Sequence, residues 1–219
     1  MKKFYLLIVL TGIFSTYQDT VYGQFRKYSN EFLNIGAGGR GLAMGSSQVA
    51  SVKDGTAGYW NPAGLVHIKD QPQLNIMHAE YFAGIGKYDF GSLAIPLKDK
   101  RRTIALSLLR FAVDDIPNTI FLVEADGTLN YNNITSFSSS DYAFLLSYAQ
   151  PVKLGNPNRS LNIGVNAKII HRKVGKFATA WGFGLDAGLR MERDNWSVGI
   201  VAKDITTTFN AWSFNFNEK

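Results

Sequence analysis

From Leu74 onward the chain repeats with a period of two. Successive side chains of a strand point to opposite faces, so this pattern favours strands over helices. Seven segments carry it: Leu74–Phe82, Tyr88–Leu97, Thr103–Phe111, Asp141–Val152, Leu161–Arg172, Trp181–Met191 and Trp196–Ala202. Between Trp181 and Met191 it sets Trp181, Phe183, Leu185, Ala187, Leu189 and Met191 against Gly182, Gly184, Asp186, Gly188 and Arg190. A soluble antiparallel sandwich also alternates, with its apolar face inside. A transmembrane barrel alternates with its apolar face outside and a polar or crowded interior. Unbroken apolar faces favour the barrel. So do Tyr142, Tyr148, Trp181 and Trp196 near the segment ends, where interfacial girdles lie. The predicted class is all-β: an antiparallel transmembrane β-barrel.

The N-terminus supports export. Lys2-Lys3 precede an apolar run, Phe4–Phe14, and Val21-Tyr22-Gly23 follows. That is the layout of a secretory signal peptide, residues 1–23, cleaved near Gly23. The run is about half the ~20 residues that a helical anchor needs. Export and barrel together predict the outer membrane of a Gram-negative bacterium, with outer-membrane lipid as a partner. Charged residues are 18% of the chain, below the roughly 25% of soluble domains. The +6 formal charge is scattered, with pairs at Lys100/Arg101 and Arg172/Lys173, which argues against a nucleic-acid partner. Cysteine is absent, which removes disulfides, thiolate metal sites and a cysteine nucleophile.

Between signal and strands lies an arm and a glycine-rich stretch, residues 24–66; the barrel strands occupy 67–219. Asn34–Leu65 is too rich in glycine to sit well in a strand or long helix. It suits a tightly folded plug closing on Trp60, Asn61, Pro62, Ala63 and Gly64. Pro62 fixes one dihedral, Asn61 can bond its own backbone, and Gly64 permits a turn. The spacing Gly36-x-Gly38-x-x-Gly41 matches a dinucleotide fingerprint, with Asp54 near the ribose distance. That site needs a βαβ unit, and Gly45, Gly55 and Gly58 interrupt any following helix. The glycines therefore read as turns within the plug, and no cofactor is expected.

Connection lengths place one end of the barrel. Lys98–Arg102, Lys153–Ser160 and Glu192–Asn195 are short inner turns, whereas Ala112–Ser140 is a long outer loop. That loop is long enough to be functional, and it makes a candidate partner contact. Asp204–Lys219 reads as a further outer loop, so the chain is expected to supply only the first part of a barrel. Gly91, Pro96, Gly164 and Gly184 could kink strands, but glycine lining a crowded barrel is just as expected. His67, His78 and His171 are far apart, and neither a catalytic nor a metal spacing is present, so no enzyme is expected.

Three blocks carry a family resemblance. They are Ser29-Asn30-Glu31-Phe32-Leu33, then Ile35-Gly36-Ala37-Gly38 with Arg40-Gly41-Leu42-Ala43-Met44-Gly45, then Tyr59-Trp60-Asn61-Pro62-Ala63-Gly64-Leu65. Together they resemble the PorV/PorQ-type outer-membrane proteins, within the wider FadL-like barrel class. Asn61-Pro62-Ala63 is similar to the plug motif of FadL-like barrels. Asp114, Asp115, Ile116, Pro117, Asn118 and Thr119 also resemble PorV-type sequences and are the candidate partner-contacting residues. The resemblance implies a barrel of about fourteen strands and a part in type IX secretion. Its partners would be secreted cargo proteins and other secretion-system subunits. FadL-like uptake of hydrophobic small molecules is the alternative it leaves open.

Overall fold

A computed structural model describes residues 30–99, 101–153, 159–206 and 208–215. The signal-peptide segment, residues 1–23, lies outside the described residues, as do 24–29 of the arm. Eight strands form one antiparallel sheet: β1 (Gln73–Tyr81), β2 (Gly86–Pro96), β3 (Thr103–Asn118), β4 (Thr135–Val152), β5 (Arg159–Val174), β6 (Ala178–Arg193), β7 (Trp196–Ala202) and β8 (Phe209–Phe214). β1 to β7 follow one another in an up-and-down order. The sheet curls into a half-barrel.

The two faces sort as the alternation predicts. On β6, Gly182, Gly184, Asp186, Gly188 and Arg190 are buried, while Trp181, Phe183, Leu185, Leu189 and Met191 are exposed. On β5, Asn162, Gly164, Asn166 and Lys168 are buried and Val165 and Ile169 are exposed. Leu106, near the start of β3, is 55% exposed. A soluble sandwich would bury these apolar faces; this sheet turns them out. Its other face is filled by residues 30–68. Ala37, Val52, Tyr59, Trp60 and Leu65 pack there against Tyr88, Phe90, Ala105, Leu109, Ala143 and Leu145.

Two sequence expectations are corrected. First, Ala112–Ser140 is not one long loop. β3 runs on to Asn118 and β4 starts at Thr135, so Asp114–Asn118 lie on a strand and only 119–134 connect. The ladder shifts register between Val113 and Ile116, and Asp115 there has φ +55°. This hairpin lacks an apolar stripe, so nothing in its pattern marked it as strand. Second, Asp204–Lys219 is not all loop, because Phe209–Phe214 pair with β6. β6 holds β7 through Ala187–Arg193 and β8 through Ala178–Phe183. β7 and β8 thus share one row, broken at 203–208. Pairing with the preceding or following strand continues through Gly91, Pro96, Gly164 and Gly184, so none of them marks a bulge there, and Gly164 and Gly184 make room for groups packed against the sheet.

Candidate functional site

The N-terminal segment folds as short helical turns, Glu31–Asn34, Gly39–Ala43, Ala57–Trp60 and Pro62–His67, joined by tight bends. Trp60 is its centre. The indole Nε1–H donates to the Ala37 carbonyl at 2.8 Å. Gly36 and Gly41 lie against the ring, and a Cβ on Gly41 would collide with it. Gly36 and Gly38 have φ +106° and +82°, a region that only glycine enters freely. The fingerprint glycines therefore close a loop around an indole. They follow a 3-10 turn, not a strand, and no βαβ unit surrounds them among the described residues.

Asn61 joins this segment to the wall. Its Oδ1 accepts from the Ala63 N–H at 3.1 Å, capping the turn that Pro62 begins. Its Nδ2 donates to the carbonyls of Val49 at 2.8 Å and Leu189 on β6 at 3.2 Å. Pro62 and Ala63 seat against Gly164, and Asn61 and Pro62 against Gly188. Gly64 is needed for space, since a Cβ there would lie 2.7 Å from the Val52 carbonyl oxygen. All five residues of the motif, Trp60 to Gly64, are buried.

Wall side chains satisfy the segment's carbonyls. Asn166 donates to Gly58 O at 2.7 Å, Thr103 to Ile68 O at 3.1 Å, and Ser197 to Ala50 O at 2.8 Å. The Arg190 guanidinium, 1% exposed, donates to Val52 O and to Glu192 at 2.8 Å. Glu192 in turn faces Lys53 at 3.8 Å and His67 at 3.5 Å. Burial pushes the His67 imidazole down to about 4, against the opposing pull of Glu192. Buried polar groups tied in this way fix one arrangement.

Higher on the wall, the break at 203–208 turns inward. Lys168, 4% exposed, lies 2.8 Å from Asp186 and 2.5 Å from Asp204. The Asp204 N–H donates to Asp186 at 2.9 Å. Lys203 sits over the Tyr59 ring, 4.8 Å from its centroid. The sequence showed Asp186 and Lys168 on inner faces, but not Asp204, whose place depends on β8 pairing.

The outer face carries a continuous row, one residue per strand: His78, Asp89, Arg110, Tyr142, His171 and Trp181, each directly opposite the next. His78 contacts Asp89 at 2.6 Å, and Asp89 accepts from Arg110 at 2.8 Å. The His171 and Trp181 rings are 4.2 Å apart. Below this row the outer positions are apolar: Ile76, Leu108, Phe144, Ile169 and Phe183, then Leu74, Leu93, Leu106, Leu146 and Leu185. Above it projects the β3–β4 hairpin. There Asp114 pairs with Lys87 at 2.9 Å, and Asn118 Oδ1 accepts from Ile120 N–H at 3.1 Å. Asp115, Ile116 and Pro117 complete the hairpin's strand, and Thr119 opens the connection. The structure thus places the two sequence motifs apart, the Trp60–Gly64 run inside and the Asp114–Thr119 run outside and above.

Among known families, curated proteins and solved structures, none matches this chain.

Proposed function

We propose that this protein is an outer-membrane β-barrel that handles exported proteins, a type IX secretion component of the PorV/PorQ kind. It receives secreted cargo at its outer hairpins and passes it on for surface attachment. The single observation that carries this reading is the inverted sheet: an apolar outer face beneath a polar and aromatic row, around an interior filled by the protein's own N-terminal segment. Backbone groups in lipid must pair internally, and a curled antiparallel sheet pairs them between strands. Trp181 to Met191 on β6 spans about 34 Å at ~3.4 Å per residue. A strand tilted ~40° covers about 26 Å of membrane with that length, close to the roughly 25 Å apolar band of such barrels. Residues 30–68, read as the plug, occupy the lumen, which leaves the outer hairpins to meet partners. The three sequence blocks that resemble PorV/PorQ proteins supply the cargo role.

Membrane placement has its own test. Leu106 lies between Leu93 and Leu146 in the apolar band. Leu106→Arg is expected to cost about 2–4 kcal/mol in lipid vesicles, the cost of arginine near a bilayer midplane. An ordinary water-exposed site would change by no more than about 0.5 kcal/mol. Denaturant unfolding in vesicles distinguishes the two, and the smaller value removes the membrane reading.

A second reading, uptake of a hydrophobic small molecule, has weaker support: a cleft of about 380 Å³ between the segment and β1 offers Met77 and Phe90, but Arg40, Gln48, Asp54, Thr56 and Asn75 line it as well. One experiment separates the two. The gene is deleted, and proteins on the surface and in the medium are compared by mass spectrometry with those in the periplasm. Secretion predicts a set of exported proteins trapped in the periplasm. Unchanged export withdraws that role and makes uptake the function to assay.

A further inference from the structure

Beyond Phe137, whose ring centroid lies 5.2 Å from that of Phe177, the β3–β4 hairpin runs past its neighbouring strands. β2 ends at Gly86, opposite Val113, and β5 ends at Val174, opposite Ser139. The hairpin continues to the Asn118–Thr135 pair. On β4, Thr135 is seven residues from Tyr142 of the outer row, about 24 Å at ~3.4 Å per residue.

Its tip is folded upon itself. Val123 and Leu129 form a bridge. The Glu124 N–H donates to Thr128 O at 2.9 Å, and the Asn130 N–H to Leu122 O at 2.8 Å. Asp126 Oδ1 accepts from the Thr128 N–H at 2.9 Å and its hydroxyl at 2.7 Å. Asn133 Nδ2 donates to Phe121 O at 2.9 Å, and Glu124 Oε1 accepts from Asn130 Nδ2 at 2.6 Å. The polar side chains are thus spent on the tip's own frame. The apolar ones face out: Ile120 is 66% exposed, Val123 60%, Leu129 57% and Tyr131 69%, with Phe121 and Ile134 also exposed. A solvated loop of no role has no reason for this inversion, and clustered exposed apolar groups mark interaction sites. A frame already ordered lowers the entropy cost of binding.

Charge selects the occupant. The 119–134 tip holds Glu124 and Asp126 and no lysine or arginine, in a chain of net charge +6; of the acids at its base, Asp114 is already paired with Lys87. Two such tips brought together repel, and so does an anionic lipid surface. A partner bearing cations around an apolar centre is attracted, and that is the anatomy of a protein interface.

We propose that the 119–134 tip is the docking surface for a protein domain whose apolar patch is rimmed by lysine and arginine. This rests on the reading of the outer hairpins as the protein-handling end. It moves the contact from Asp114–Thr119, at the hairpin's base, to the tip above.

The test uses the intact protein in its own cells, with the photo-crosslinking residue p-benzoylphenylalanine in place of Tyr131. The expected result is a discrete adduct with another polypeptide, whose crosslinked peptide is apolar and flanked by Lys or Arg. Two variants are compared. Ile120→Ser/Val123→Ser/Leu129→Ser removes exposed apolar groups. Glu124→Gln/Asp126→Asn removes charge but keeps the acceptor oxygens of the frame. Each is expected to lower the adduct roughly tenfold, the loss of an interface anchor worth ~1.4 kcal/mol. Unchanged heat-modified migration on gels checks that both variants fold. Adducts only with a second copy, only with lipid, with an acidic peptide, or with nothing overturn the proposal. The secretion reading fails separately. If gene deletion traps exports while the serine variant exports normally, secretion stands and the tip falls. If the tip captures a basic domain of a resident protein and export is indifferent to deletion, the tip stands and secretion falls.

Discussion

Gly164→Val is expected to unseat the 49–66 region from the wall. A Cβ at this position would lie 2.8 Å from the Pro62 carbonyl oxygen and still closer to the carbonyl carbon and the Ala63 nitrogen. These are backbone atoms, so no rotamer change relieves the clash, and valine adds two methyls to it. The usual overpacking cost is about 1–3 kcal/mol. This site is expected to exceed it, because moving Pro62 also strains the Asn61 bonds to Val49 and Leu189 and the Asn166 bond to Gly58. Gly91→Val is the matched control. It lies in the same sheet, on the outer face, and a Cβ there meets nothing within 4 Å. Thermal unfolding and limited proteolysis of residues 30–68 read the difference. A Gly164→Val protein with the melting temperature and protease resistance of Gly91→Val would show that the close approach at Pro62 matters little.

That contact also marks how far the sequence could be read. Asn61, Pro62 and Ala63 announce a capped turn in three letters of local chemistry, and the turn is there. Nothing local says that the turn lies against Gly164 and Gly188, more than a hundred residues on, because a glycine that makes room looks like a glycine that bends. The strands follow the same division. Trp181–Met191 is legible because its two faces meet different environments, so period two is written into it. The hairpin beyond Val113 lacks a buried face to set against an exposed one, and the Ser-rich run Thr135–Ser140 reads as loop although most of it pairs with β3 and its last two residues also pair with β5. β8 escapes for another reason. It is short, and 203–208 separates it from β7, with which it shares a row. Alternation is a sum over many residues, and a break in the row resets it.

The break at 203–208 leads to the other large expected effect. Lys168→Met removes the cation that bridges Asp186 and Asp204, which its ammonium meets at 2.8 and 2.5 Å. Methionine fills much the same volume, so the change is mainly one of charge. Two carboxylates are then left facing each other, with Asp186 only 5% exposed. Breaking a buried pair in this way costs about 3–5 kcal/mol. Asp186 keeps the Asp204 N–H and the Asn166 amide, at 2.9 and 3.3 Å, and those bonds cannot replace a full charge. The double variant Lys168→Met/Asp186→Leu removes a pair together with its desolvation cost, and is expected to recover most of the loss. A double-mutant cycle by denaturant unfolding in vesicles measures the coupling. The single change is also expected to free 203–208 from the wall, lifting Lys203 off the Tyr59 ring and exposing this stretch to protease. If the single and double variants lose the same stability, the triad is not what pins the break, and the inward turn depends instead on the Ile205 N–H bond to Leu185 O at 2.9 Å.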